Sequence, residues 1–126
     1  VLYRRLMMRI ASQVAKRINA LALVTGDSIG QVASQTVTNM SVVEEAAEVP
    51  VFRPLLSFDK TEIIEKAKEW GTYEVAVRPA EDCCTLFSDR HPATKANMEW
   101  VREEEEKLDI CEWVEQVSKG IVRRVI

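Results

Sequence analysis

The stretch Leu21-Ala22-Leu23-Val24-Thr25-Gly26-Asp27-Ser28-Ile29-Gly30-Gln31 decides the fold class. A short apolar run closed by glycine reads as a strand buried on both faces, in the manner of a parallel sheet. The two glycines bracket a tight turn, and the chain from Gln31 to Ala47 then reads as helical, with a break near Asn39-Met40-Ser41. Strand, turn and helix in that order make the repeating unit of an α/β fold. Such a turn sits at the C-terminal end of a parallel strand, where open α/β sheets bind ligands.

Working outward, residues 2–18 read as a helix, because Leu2, Leu6, Ile10, Val14 and Ile18 recur every four residues. Downstream, Val49-Pro50-Val51-Phe52-Arg53 is a second short strand, closed by Pro54. Asp59 and Glu62 have capping-box spacing, so a helix starts there with Ile63, Ile64, Ala67 and Trp70 inward. Gly71 stands where a helix C-terminus expects glycine. Residues 74–78 read as a third strand, 79–94 as a long loop, and 93–118 as one long polar helix. Along that helix Met98, Val101, Leu108, Trp113 and Val117 form the apolar side, with Cys111 in the core. Three or four strands alternating with helices give a Rossmann-like parallel sheet with flanking helices, thin enough to be the second half of a domain.

The chain has 126 residues, 47% hydrophobic and 29% charged, with 4 glycines and 4 prolines, which excludes disordered and collagen-like classes. No apolar run reaches the roughly 18 residues that span a bilayer. The chain begins without Met and reads as a piece of a longer, soluble protein. A net charge of −3 argues against a dedicated basic nucleic-acid domain but leaves room for a nucleic-acid substrate held elsewhere. Three cysteines, with Cys83 and Cys84 adjacent, do not make a disulfide framework, so a reducing cytoplasm fits.

Several groups are candidates for chemistry. Gly26 lets backbone approach a ligand closely, and a helix N-terminus offers N–H groups to an anion. The same turn is equally an ordinary strand–helix connection. Gln31, Ser34, Gln35 and Thr38 share one helical face, either solvated or lining a cleft for a purine or ribose. Asp82, Cys83 and Cys84 lie in the long loop, a common location for function. One cysteine there is either buried filler or a nucleophile activated by Arg78, Arg90 or a bound cation. The thiol spacings do not suggest zinc, and His91 reads as a structural loop residue. Arg4 and Arg5 are either surface arginines or phosphate contacts, and residues 102–107 read as a solvated charged face.

Residues 22–36, Ala-Leu-Val-Thr-Gly-Asp-Ser-Ile-Gly-Gln-Val-Ala-Ser-Gln-Thr, resemble the central signature of the tRNA 4-thiouridine synthetase (ThiI) family of tRNA sulfurtransferases. Three further blocks agree in order and spacing: Arg4-Arg5-Leu6-Met7-Met8-Arg9-Ile10; Val51-Phe52-Arg53-Pro54-Leu55 with Asp59-Lys60-Thr61-Glu62-Ile63-Ile64; and Glu81-Asp82-Cys83-Cys84-Thr85-Leu86-Phe87. The resemblance implies that residues 1–126 are the C-terminal part of a PP-loop, adenine-nucleotide-hydrolase-like thiolation domain. In that family ATP, with Mg2+, adenylates the C4 oxygen of a tRNA uridine, and a persulfide sulfur displaces AMP. Sulfur also passes to the thiazole of thiamine. The resemblance assigns Arg4, Gly26 and Gln35 to ATP, and Cys83 to catalysis, with Cys84 as companion and Asp82 as an orienting group. It implies tRNA held mainly by an upstream RNA-binding part, a cysteine desulfurase as sulfur donor, and a homodimer. The Ser-Gly-Gly-type pyrophosphate loop is not among these residues, so the fragment alone is expected to be inactive. The alternatives are a packing or dimerisation module using Trp100, Trp113 and the 121–126 tail, or a PP-loop ATPase thiolating another substrate.

Overall fold

A computed structural model describes residues 1–32, 35–79 and 93–122. Helix α1 (Leu2–Arg17) leads into strand β1 (Leu23–Val24), helix α2 (Val37–Glu44) and strand β2 (Val51–Phe52). Helices α3 (Lys60–Glu69), α4 (Tyr73–Ala76), α5 (Met98–Glu106) and α6 (Ile110–Gly120) follow. The strands pair in parallel, Leu23 opposite Val51 and Val24 opposite Phe52. A parallel pair needs a crossover, and α2 supplies it. The architecture is α/β, with two strands among the described residues.

The core is built around α1. Met8 packs with Val43 and Ala46 of the α2 region, flanked by Val1, Leu23, Ala47 and Val51. The face of α1 that is sealed is Arg5, Met8, Ser12 and Ala15; of the predicted stripe Leu2–Leu6–Ile10–Val14–Ile18, broadened by Met7, Ala11 and Ala15, Ala15 alone belongs to it. The rest of the stripe lies on the other flank and is half-buried, with Ile18 56% exposed. Polar groups occupy the sealed face because partners meet them there. Ser12 Oγ accepts from the Glu48 N–H at 3.0 Å. Arg5 donates to the Val42 carbonyl and to Glu105 Oε2, the latter at 2.7 Å, and pairs with Glu45 at 2.6 Å.

The predicted long helix over 93–118 is two helices. Asn97 caps α5 by accepting from the Trp100 N–H at 2.9 Å, and residues 107–109 break the run before α6. The break changes the helical phase. Val101 is fully buried on α5, whereas Val114 and Ser118 are the buried positions of α6 and Val117 is 47% exposed. Cys111 is exposed rather than in the core. Residues 102–107 are not simply a solvated face, because Glu105 stands four residues after Val101 and shares its buried side.

Three further expectations change. The predicted strand at 74–78 is a helical turn, α4, closed by the Ala76 N–H donating to the Thr72 carbonyl at 3.0 Å. A valine alternation without a described strand to pair with yields to this local hydrogen bond. The helix expected from Gln31 starts at Val37, where Thr36 Oγ1 accepts the Asn39 N–H at 3.2 Å, and it runs unbroken through Asn39-Met40-Ser41. Strand β1 is not buried on both faces, since Val24 is 70% exposed, and Trp70, the C-cap of α3, lies outward. The capping box at Asp59 and Glu62 forms as expected, and Gly71 takes φ +69° just past α3, a conformation glycine adopts without strain.

Candidate functional site

β1 ends at Val24 and delivers Thr25, Gly26 and Asp27 to its C-terminal edge. Three hydrogen bonds fix the turn that follows. The Ser28 hydroxyl donates to the Phe58 carbonyl at 2.5 Å. The Ile29 N–H donates to the Leu56 carbonyl at 3.1 Å, and the Gly30 N–H to the Gln35 carbonyl at 3.0 Å. Gly30 needs its φ of +78° for this closure, which side-chain-bearing residues rarely adopt. Gln35 is thereby carried back beside Asp27 just before α2 begins.

Asp27 is the hub. Its carboxylate receives Arg4 Nη2 at 2.5 Å and the Thr25 hydroxyl at 2.7 Å. Gln35 Nε2 approaches Oδ1 at 3.5 Å, and Arg53 Nε approaches Oδ2 at 3.4 Å. Asp27 is buried, whereas about a third of the Arg4 side chain faces solvent. Arg53, at the end of β2, also donates to Glu44 at 2.6 Å. It borders an apolar hollow of about 510 Å³ with Ile29, Met40, Leu56 and Met98 on the wall.

The charges are balanced by contact. Burial pushes the Asp27 carboxyl up, but the Thr25 hydroxyl and the Arg4 guanidinium outweigh it and hold it below its ordinary 3.8. Burial likewise opposes ionisation of Glu105, and Arg5 and Arg9 overcome it, leaving that carboxyl below its ordinary 4.5. Both carboxyls are therefore more acidic folded than unfolded. Their contribution to stability is complete above about pH 4.5 and is lost as the pH falls through the lowered folded values. Urea midpoints should be level between pH 7 and 5.5 and drop between about pH 4.5 and 3. A midpoint that stays flat to pH 3 contradicts this arrangement.

Of the residues singled out from sequence, Arg4, Gly26 and Gln35 come together around Asp27. Gln31 and Gln35 precede α2, so the expected helical face of Gln31, Ser34, Gln35 and Thr38 does not form; Ser34 itself lies outside the described residues. Asp82, Cys83, Cys84 and His91 also lie outside the described residues. Residues 93–96 lie beside the turn. Asn39 donates to the Ala93 carbonyl at 2.7 Å and accepts from the Ala96 N–H at 2.8 Å, while Thr36 donates to the Thr94 carbonyl at 2.7 Å. Sequence reasoning missed Asp27 and Arg53 as members of the cluster. The signal for Asp27 was an acidic residue placed directly after the strand-ending glycine. Among the described residues no group of three or more His, Cys, Asp or Glu side chains stands together as a metal site. Nor is any described helix long and apolar enough to cross a membrane.

Similarity to known proteins identifies the family. The ThiI family, described as a thiamine biosynthesis protein, matches residues 1–110. The chain belongs to the ThiI family. A relative from Caldanaerobacter subterraneus named "Probable tRNA sulfurtransferase" is 47% identical over 122 residues, 97% of this chain and 32% of the relative. One of the same name from Thermus thermophilus is 55% identical over 108 residues, 86% of this chain and 27% of the relative. A solved structure described as a 4-thiouridine synthetase–RNA complex with bound ATP superposes with a TM-score of 0.85 at 44% identity, over 93% of this chain and 31% of that one. This ThiI-family chain thus spans about a third of the length of the curated relatives it matches.

Proposed function

We propose that this chain is the C-terminal part of a PP-loop ATP-binding thiolation domain in a tRNA sulfurtransferase. One observation carries the reading. Arg4 and Gln35, 31 positions apart in sequence, meet at the carboxylate that follows Gly26, at the C-terminal end of a parallel strand. That is where open α/β sheets hold nucleotides. Gly26 supports the same reading, since among the described residues nothing within 4 Å would touch a Cβ added there. The open space there leaves the backbone accessible to a ligand.

The chemistry needs a leaving group, because a uridine carbonyl oxygen is a poor one. The C4 oxygen attacks the α-phosphorus of ATP and pyrophosphate departs, leaving an adenylate on C4. A persulfide sulfur then attacks C4 and AMP leaves with the oxygen; a second thiol attacks the carrier cysteine's sulfur, the S–S bond breaks so that the transferred sulfur stays on C4, and a thiol reductant reopens the disulfide left behind. Arg4 answers the phosphate charge, and Gln35 bonds the nucleotide without adding charge. Mg2+ comes with the phosphates, its usual mode of entry. Cys83 handles sulfur, with Cys84 as companion and Asp82 orienting their loop. Ala93 and Thr94 are anchored to Asn39 and Thr36, next to Gln35. A cysteine desulfurase supplies the sulfur, the tRNA is held mainly by an upstream RNA-binding part, and the protein works as a cytoplasmic homodimer. The same sulfur also serves the thiazole of thiamine.

The sheet supports a Rossmann-like domain of which this is the second half. Leu21 is 88% exposed, Val24 70% and Phe52 61%, an apolar surface suited to further strands. In the full-length protein, Arg4→Ala should raise the KM for ATP about tenfold or more, the worth of one charge-assisted phosphate contact. Steady-state kinetics at fixed tRNA measures it, and an unchanged KM for ATP rejects the nucleotide reading.

A further inference from the structure

We propose that Asp27 is a positioning residue of the nucleotide site, whose carboxylate sets the Arg4 guanidinium and the Gln35 amide in their ATP-binding orientations before ATP arrives. The proposal rests on the reading of Arg4 and Gln35 as ATP contacts. Asp27 is 6% exposed, so it is not itself well placed to meet the nucleotide. Its two oxygens are shared among side chains from separate elements: Arg4 from α1, Gln35 from the turn before α2, Thr25 from the end of β1 and Arg53 from the end of β2. A guanidinium is a rigid planar fork, so anchoring Nη2 at 2.5 Å restricts where the rest of the plane lies.

The amide argument is chemical. An ionised carboxylate only accepts hydrogen bonds. It therefore selects the Gln35 orientation that turns Nε2 toward Oδ1, at 3.5 Å. The other end, Gln35 Oε1, is buried and accepts no hydrogen bond among the described residues. A buried acceptor left without a partner is costly, and a donor on the nucleotide, a ribose hydroxyl or a base N–H, satisfies it. Asp27→Asn presents a donor as well as an acceptor and lets the amide turn over. It also removes the charge that draws Arg4. Ordering both side chains on binding then subtracts from affinity what preorganisation supplies.

The test uses the full-length protein, with KM measured separately for ATP and for tRNA, and with the variants D27N, R4A and D27N/R4A. The expected result is a rise of about tenfold in the KM for ATP for D27N, with the KM for tRNA within about twofold. The double variant should be worse than R4A by less than the full D27N effect, because Asp27 acts partly through Arg4 and partly through Gln35. If R4A leaves the KM for ATP unchanged, the nucleotide reading itself fails and takes this proposal with it. If R4A raises that KM while D27N does not, or if the two effects multiply in the double variant, the reading stands and the positioning role is overturned. Should D27N not fold, Thr25→Val keeps the carboxylate and removes one of its donors. It should raise the KM for ATP about threefold, in line with one neutral hydrogen bond, and a soluble T25V with unaltered KM overturns the role equally.

Discussion

Replacing Cys83 by serine in the full-length protein should abolish tRNA thiolation and leave uridine adenylation intact. The asymmetry follows from the division of labour proposed above. Adenylation is phosphoryl chemistry at the Arg4–Gly26–Gln35 cluster and asks nothing of a thiol. Sulfur transfer needs a side chain that holds a persulfide, and only a thiolate attacks and carries sulfur. A serine hydroxyl does neither, so the loss should be complete rather than graded. Nucleoside analysis of the reacted tRNA reads thiolation, and pyrophosphate release reads adenylation. Intact mass after incubation with a cysteine desulfurase should show one added sulfur on the unsubstituted protein and none at position 83 in the variant. Thiolation surviving in C83S removes the cysteine from the mechanism, while the nucleotide site is judged separately by Arg4→Ala.

The second large effect is on stability. Arg5 is 1% exposed and Glu105 8%, and they are joined at 2.7 Å across 100 positions of sequence. Arg9 reaches the same Glu105 oxygen at 2.9 Å. Glu45 pairs with Arg5 at 2.6 Å and with Arg102 at 2.8 Å, so α5 is tied to α1 and to the end of α2 by one set of charges. Glu105→Ala leaves the buried guanidinium with Glu45 and the Val42 carbonyl as partners, so the loss is that of a buried charged hydrogen bond, about 1.5–3 kcal/mol. That is a substantial part of the roughly 5–15 kcal/mol that holds a domain together. Urea unfolding followed by tryptophan fluorescence measures it, with Trp100 on α5 as a local reporter. The double change Arg5→Met with Glu105→Leu should recover most of the loss, because neither charge is then stranded. A Glu105→Ala protein within about 1 kcal/mol of the parent would show that the pair is not the clamp described, since a buried charged hydrogen bond costs more than that to lose.

The clamp also bears on the site. Arg4 and Arg5 are neighbours on α1 and project about 100° apart. While Arg5 locks the N-terminal turn of the helix to α5 and to the Val42 carbonyl, Arg4 is presented to Asp27.

How much of this was legible beforehand differs by element. The capping box at Asp59 and Glu62, the glycine at the end of α3 and the parallel strand–turn–helix unit could be read directly, because their causes lie within a few residues. The blocks around Arg4, Gly26 and Gln35 carried the family resemblance, and these three residues do converge. α2 starts six residues later than its sequence pattern predicts, because the bond from the Gly30 N–H to the Gln35 carbonyl and the Thr36 cap delay it. The valines after Tyr73 read as a strand, but no described strand lies where they would pair.

The family, the strand–turn–helix order around Gly26 and the capped helix after Asp59 were therefore legible in sequence alone, and the ATP-contact candidates came with the resemblance. Which charges are buried was decided only by tertiary structure. Nothing near Arg5 foretells Glu105, and nothing in the acidic run 102–107 distinguishes Glu105 from its neighbours except its phase with Val101. A helix or turn signal acts over one or two turns of chain, whereas a buried ion pair exists only once two distant surfaces have excluded water from between them.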